Sequence, residues 1–252
     1  MRARSCLFAA LLVSGSATPA LSADVRVLTA GAYKPIVLAL APAFEQRTGH
    51  KLVVLNDTAG ALERRIGQGE IFDVAVLPPA AIERLATAGR VAPDSQVPLA
   101  RVAIGVAVKR GAPLPDISTV EALQKALLSA RAVAYIDPAA GGSSGIYLSQ
   151  LFERWGLASQ IKARAVLVPG GLVAERLVTG EADLALHQIS EILAVPGAQL
   201  VGPIPREIQN YTVYAGAVSS SAAAPDAARA LLTALGGASA RDVLKDKGME
   251  AP

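Results

Sequence analysis

The sequence predicts an α/β protein. Short apolar segments of strand period alternate with amphipathic segments of helix period, proline and glycine punctuate the joints, and apolar residues suffice for a large core. They make up 52% of the 252 residues, against 18% charged and 4% aromatic, a balance that excludes a disordered chain. The 22 glycines and 16 prolines follow no period, which excludes collagen-like and repeat architectures.

Residues 1–23 read as an export signal. Arg2 and Arg4 precede the apolar run Cys6–Val13, and small residues with Pro19 lead to a cleavage point at Ala23 or one residue earlier. The apolar run is too short to span a bilayer. Removing Arg2 and Arg4 from the 24 basic residues leaves 22 against 21 acidic ones, and Cys6, the one cysteine, departs with the signal. No cysteine stands at the cleavage point for lipid attachment, and no later uncharged apolar run reaches about 18 residues. The expectation is a periplasmic protein without stable membrane insertion.

From Val25 the pattern alternates. Val25–Leu28 is a strand, and a helix starts near Pro35 and stops at Gly49. Lys51–Asn56 is the next strand, Ala61–Gln68 an amphipathic helix ended by Gly69, and Asp73–Leu77 an apolar run suited to a strand covered on both faces. Three strands with intervening helices predict a parallel sheet. Arg101–Lys109 then forms a longer strand followed by the proline-broken loop Gly111–Asp116, which marks a crossing.

A second set follows: a helix over Thr119–Ser129, strands at Ala132–Ile136, Ala163–Val168 and Asp183–His187, and helices ending at Trp155 and Thr179. The strand Tyr211–Val218 marks a return, with outer helices Pro225–Leu235 and Ala238–Lys247. The order predicts two lobes: residues 24–101 and 208–252 in the first, 102–207 in the second.

Four loops of small residues join strand ends to helix starts: Ala30-Gly31-Ala32-Tyr33, Asp57-Thr58-Ala59-Gly60, Gly141 to Gly145, and Pro169-Gly170-Gly171. Helix N-termini offer unpaired N–H donors and a partial positive charge, and absent side chains let the backbone approach a compact anion. Thr58, Ser143 and Ser144 add hydroxyls. A single such loop would be only a helix cap; four divided between two lobes point to a small anionic ligand.

Other function classes lack their groups. No Lys/Arg cluster could track nucleic acid. Cys6, His50 and His187 cannot build a structural metal site, and GxSxG, HExxH and GxxxxGK[ST] are absent, so no cofactor is expected. Arg64-Arg65 reads as a solvated helix face, and Trp155 and Tyr147 as packing residues.

The segment IDPAAGGSSGIYLSQLFERWGL, from Ile136, resembles the "DP…GIY…L…LG" stretch of the periplasmic molybdate-binding proteins, a branch of the type 2 solute-binding family of ABC importers. Weaker likenesses run along the rest of the mature chain: VRVLTAGAYKPIVLALAPAFEQRTG, LERRIGQGEIFDVAVLP, LVTGEADLALHQ and VLKDKGM. The resemblance implies a two-lobed type 2 periplasmic-binding-protein fold, with a mixed sheet in each lobe and two crossing strands, closing on an anion by hinge motion. It implies a monomer whose partners are an ABC permease and ATPase. It places backbone donors at Ala32, Ala59, Ser144 and Gly170, with Gly31 and Gln188 beside the ligand. Ala32, Ala59 and Gln188 stand where molybdate binders carry hydroxyls, which favours a small organic polycarboxylate over molybdate, anchored by Lys34, Thr58, Ser143 and Ser144.

The chain is also similar to the periplasmic aconitate isomerases, through LALHQISEIL and GPIPREIQ. That likeness implies an allylic proton shift on a tricarboxylate, with His187 or Glu191 as base. Taken alone, His187 reads as a half-buried structural histidine, Lys34 as a solvated first-turn lysine and Glu191 as an exposed helix acid, so the expectation is an ABC-importer binding protein, with the isomerase as the alternative.

Overall fold

The computed structural model describes residues 22–252, and the expected export signal lies outside the described residues apart from Ser22 and Ala23. The Ser22 hydroxyl donates to Gly49 O at 2.8 Å, and Ala23 N to His50 Nδ1 at 3.2 Å.

The first elements are β1 (Asp24–Ala30), α1 (Lys34–Thr48), β2 (Lys51–Asp57), α2 (Ala59–Gly67), β3 (Val74–Leu77) and α3 (Pro79–Thr87). Helix α1 carries Pro35 in its first turn, where no N–H is missed, and stops at Gly49, whose φ of 75° lets its N–H return to Glu45 O at 2.8 Å. Helix α2 starts two residues before the expected Ala61 because Thr58 caps it, its Oγ1 accepting from Ala61 N at 3.2 Å. Strand β3 is buried at every position. It lies inside the sheet, parallel to β1 and antiparallel to β9 (Tyr211–Val218).

Strand β4 (Val97–Lys109) joins the two halves. Its first part pairs with β9 as far as Ala103; from Ile104 on it pairs with β7 (Leu184–Gln188) and β8 (Ala198–Pro203). It begins before the expected Arg101 because the pairing absorbs Pro98 at a register irregularity.

The second set comprises α4 (Val120–Ser129), β5 (Val133–Ile136), α5 (Ser143–Arg154), α6 (Ala158–Lys162), β6 (Ala165–Val168), α7 (Glu175–Val178), β7, α8 (Ile189–Leu193) and β8. After β9, α9 (Pro225–Gly236) and α10 (Ala238–Asp246) close the chain onto the first half, where α9 and α10 pack on α1. The sheet order is β2-β1-β3-β9-β4-β7-β5-β6, with β8 on β4. Both halves are mixed, because β9 runs antiparallel to the first parallel set and β4 to the second. Strand β8 lies in a stretch to which the sequence pattern assigned no element, and α6 and α8 are too short to leave a periodic trace in sequence.

The core divides along β4. Side chains up to Val102 join one cluster with Val27, Leu28, Ile36, Val76, Leu231 and Leu235. From Ile104 the strand supplies two others: Ile104, Val106 and Val108 pack with Leu148 and Phe152 on one face, and Ala107 packs with Ile136, Val168 and Ile192 on the other. The ends of β1, β2, β5 and β7 converge between these halves, and a crevice lies there.

Candidate functional site

In the described conformation the crevice has a cavity volume of about 30 Å³. From the first half it is lined by Ala30 and Gly31 after β1, by Asn56 to Ala59 after β2, and by Tyr214 of β9; from the second by Ile136, Gly142, Ser143, Ser144, Gly171, His187, Gln188 and Glu191. Two of the walls are helix starts. Helix α5 opens at Ser143 with no side chain capping it, which leaves its first N–H groups without a capping partner; at the start of α2 the Gly60 and Ala61 N–H groups are taken by Gly141 O and Thr58 Oγ1.

The loops meet across it. Gly60 N donates to Gly141 O at 3.0 Å and the Thr58 hydroxyl to Ala140 O at 2.5 Å. The two glycines stand back to back: a Cβ added to either would lie 2.9 Å from the other's Cα. Beyond the crevice, Ser190 Oγ donates to Ala32 O at 2.8 Å and ties α8 to the loop after β1.

The groups capable of proton chemistry lie on β7 and α8. His187 is 3% exposed and Glu191 5%. They are four residues apart across the junction of a strand and a helical turn, with His187 Nε2 3.3 Å from Glu191 Oε2. The approach lacks hydrogen-bond direction, so Nε2 is buried without a partner. The other ring nitrogen, Nδ1, lies 3.4 Å from Ser144 Oγ. A Cβ at Gly31 would collide with Glu191 Oε1, so the carboxylate is seated against a backbone that only glycine keeps open. Both residues are far more buried than their bland sequence readings allow.

Gln188 lines the crevice with its amide already engaged: Nε2 donates to Thr212 Oγ1 at 3.0 Å, and Oε1 accepts from Tyr214 OH at 3.0 Å. Burial, followed by the nearby Glu191 carboxylate, pushes the Tyr214 phenol well above its ordinary range, so it remains a donor. Asp57 Oδ1 accepts from Thr58 N at 2.8 Å, and Oδ2 lies 3.2 Å from Arg65 Nη1. Arg65 also grips Glu70, at 2.6 Å from Nη2 to Oε1. Arg65 therefore neutralises a carboxylate on the crevice wall, where the sequence suggested only a solvated face.

Of the expected ligand contacts, Gly31, Thr58, Ala59, Ser143, Ser144 and Gln188 line the crevice, as do His187 and Glu191. Three do not. Ala32 turns into the core with its carbonyl held by Ser190, and Gly171 takes the lining place expected of Gly170, which lies beside Asp57. Lys34 lines an adjoining outer groove with Leu38, Leu172 and Glu175, where Gly31, Asn56, Gly171 and Glu191 are shared with the crevice. Sequence reasoning missed Asn56 and Tyr214. Two polar residues ending the alternation of β2 could have flagged the first; nothing in β9 distinguishes Tyr214 from its inward-facing neighbours. Among the described residues no group of three or more His, Cys, Asp or Glu could hold a metal ion, and no helix is long and apolar enough to cross a membrane.

The model of the bacterial extracellular solute-binding proteins matches residues 25–250. The chain belongs to that family. Within it, this solute-binding protein is 38% identical over 245 residues to an aconitate isomerase from Pseudomonas sp, covering 93% of this chain and 92% of the relative. Solved structures share the fold at lower identity. The Azotobacter vinelandii periplasmic molybdate-binding protein superposes with a TM-score of 0.76 at 22% identity, covering 90% of this chain and 99% of the other. The sulfate-binding protein SubI from Mycobacterium tuberculosis H37Rv gives 0.72 at 18%, covering 91% and 87%.

Proposed function

We propose that this solute-binding protein is an isomerase that interconverts cis- and trans-aconitate by an allylic proton shift. The observation that carries the reading is the pairing of two buried titratable groups, His187 and Glu191, in a crevice that the uncapped start of α5 also lines. A site built only to hold a fully ionised oxyanion has no use for a buried carboxylate. Like charges about 4 Å apart in a medium of effective dielectric about 20 repel by about 4 kcal/mol. One charge-assisted hydrogen bond returns only about 1.5–3 kcal/mol.

In the proposed reaction the base, His187 or Glu191, takes a proton from the methylene carbon of aconitate. The electron pair moves through the adjacent double bond and is held as negative charge on a carboxylate. Return of a proton to the former vinylic carbon completes the shift, with no atom gained or lost. The N–H groups at the start of α5 and the Ser143 and Ser144 hydroxyls are the donors for the developing charge. Lys34 pairs with a carboxylate directed toward the outer groove.

Residues 24–101 with 208–252, and residues 102–207, act as lobes closing over the substrate in the periplasm after removal of the export signal. The division of the core between Val102 and Ile104 supports this boundary. The 38% identity to an aconitate isomerase supports the chemistry.

Family membership favours a second reading, a monomeric binding protein delivering an anion to an ABC permease and ATPase. Incubating purified protein with trans-aconitate and separating the acids by chromatography distinguishes the two. The isomerase reading expects cis-aconitate to accumulate, and to stop doing so in His187→Gln and Glu191→Gln variants. Tight binding of unchanged trans-aconitate would overturn it in favour of the importer.

A further inference from the structure

The Glu191 carboxylate is 5% exposed and lines both the crevice and the outer groove, yet no hydrogen bond from the described residues ends on it. Its surroundings do not neutralise it by direct contact. His187 on β7 approaches at 3.3 Å without hydrogen-bond direction. Tyr214 on β9 lines the same crevice but gives its proton to Gln188. On β2, Asp57 is held by Arg65 and Asn56 is neutral. On the groove side stand Lys34 of α1 and Glu175 of α7, one charge of each sign. On the α5 side, Ser143 and Ser144 carry only hydroxyls.

A carboxylate brought beside this nearly enclosed one without a proton meets a like charge that no donor compensates. A proton shared between Glu191 and a ligand carboxylate removes the repulsion and supplies a short charge-assisted hydrogen bond. We propose that Glu191 is a specificity-determining residue that admits polyacids carrying a proton and rejects anions that carry none, so that binding takes up one proton from solvent when the free ligand is fully ionised. The inference rests on the reading of the crevice as a polycarboxylate site, names the protonation state that site requires, and leaves His187 as the base.

The probe is tricarballylate, a saturated tricarboxylate that has no double bond to shift. Calorimetry above neutral pH, in two buffers of different ionisation enthalpy, counts the protons taken up on binding. The expected result is about one proton per ligand, with affinity falling about tenfold per pH unit as the ligand becomes fully ionised. In Glu191→Gln the uptake and the pH slope should vanish. Sulfate, which carries no proton, should bind the parent protein at least about tenfold more weakly than it binds Glu191→Gln, whose amide can donate.

Tricarballylate binding with no proton uptake, or with the same uptake in Glu191→Gln, would overturn the proposal and leave the site reading standing. Failure of tricarballylate to bind the parent protein at any pH would overturn both. Thermal unfolding of the variant separates loss of fold from loss of selection.

Discussion

Replacing Gly60 by alanine should weaken ligand binding more than it weakens the fold. Gly60 is the second residue of α2, away from any left-handed conformation, so alanine there is neutral or favourable to the helix by up to about 0.5–1 kcal/mol. Across the crevice the new Cβ meets Gly141 Cα at 2.9 Å and Gly141 O at 3.1 Å, both backbone atoms with no rotamer to give way. The loops must separate, which lengthens the Gly60–Gly141 and Thr58–Ala140 hydrogen bonds. Overpacking and the weakened bonds together cost about 1–3 kcal/mol. If closing those loops is part of binding, affinity falls about 5- to 150-fold. Calorimetry with tricarballylate, paired with thermal unfolding of the ligand-free protein, reads both quantities. Unchanged affinity in Gly60→Ala would refute the claim that the loops close on the ligand.

Arg65→Leu should expose the Asp57 charge on the crevice wall and weaken tricarballylate binding several-fold in the same calorimetric assay. Hydrogen bonds from Arg65 hold the Glu70 carboxyl below the usual carboxylate range. Its contribution to stability is therefore present above that range and lost as pH falls through the lowered value, so urea midpoints measured against pH should show a shallower acid decline in Arg65→Leu. Asp73 accepts from Arg26 N and Ala223 N at 2.8 Å and from Ala224 N at 3.2 Å while 3% exposed; Asp73→Ala should cost about 2–5 kcal/mol in urea unfolding. Lys34→Ala should lower the affinity for tricarballylate and leave that for sulfate nearly unchanged, because Lys34 lines the outer groove rather than the inner crevice.

The fold was legible wherever burial leaves a periodic trace. Strands β3 and β5 are buried throughout and read as continuous apolar runs, and the loops after β1, β2 and β5 announced themselves by small residues at helix starts. Helix α8 was not legible: its five residues are shorter than two turns, and this hid the burial of Glu191, which looked like a surface acid. The pairing of Arg65 with Asp57 joins two elements through a side-chain geometry that no spacing rule encodes. Lys34 marks a finer limit of the sequence. The loop it follows does line the crevice, but its own position on the first turn of α1 points it to the neighbouring groove.

The central claim is turnover, and proton NMR of the purified protein with cis-aconitate or trans-aconitate, supplied in separate samples, tests it most directly. The account predicts that both samples reach the same mixture of the two acids, and that neither changes beyond the protein-free control when Glu191→Gln replaces the parent protein. Two samples that bind protein yet keep the acid they began with would contradict it.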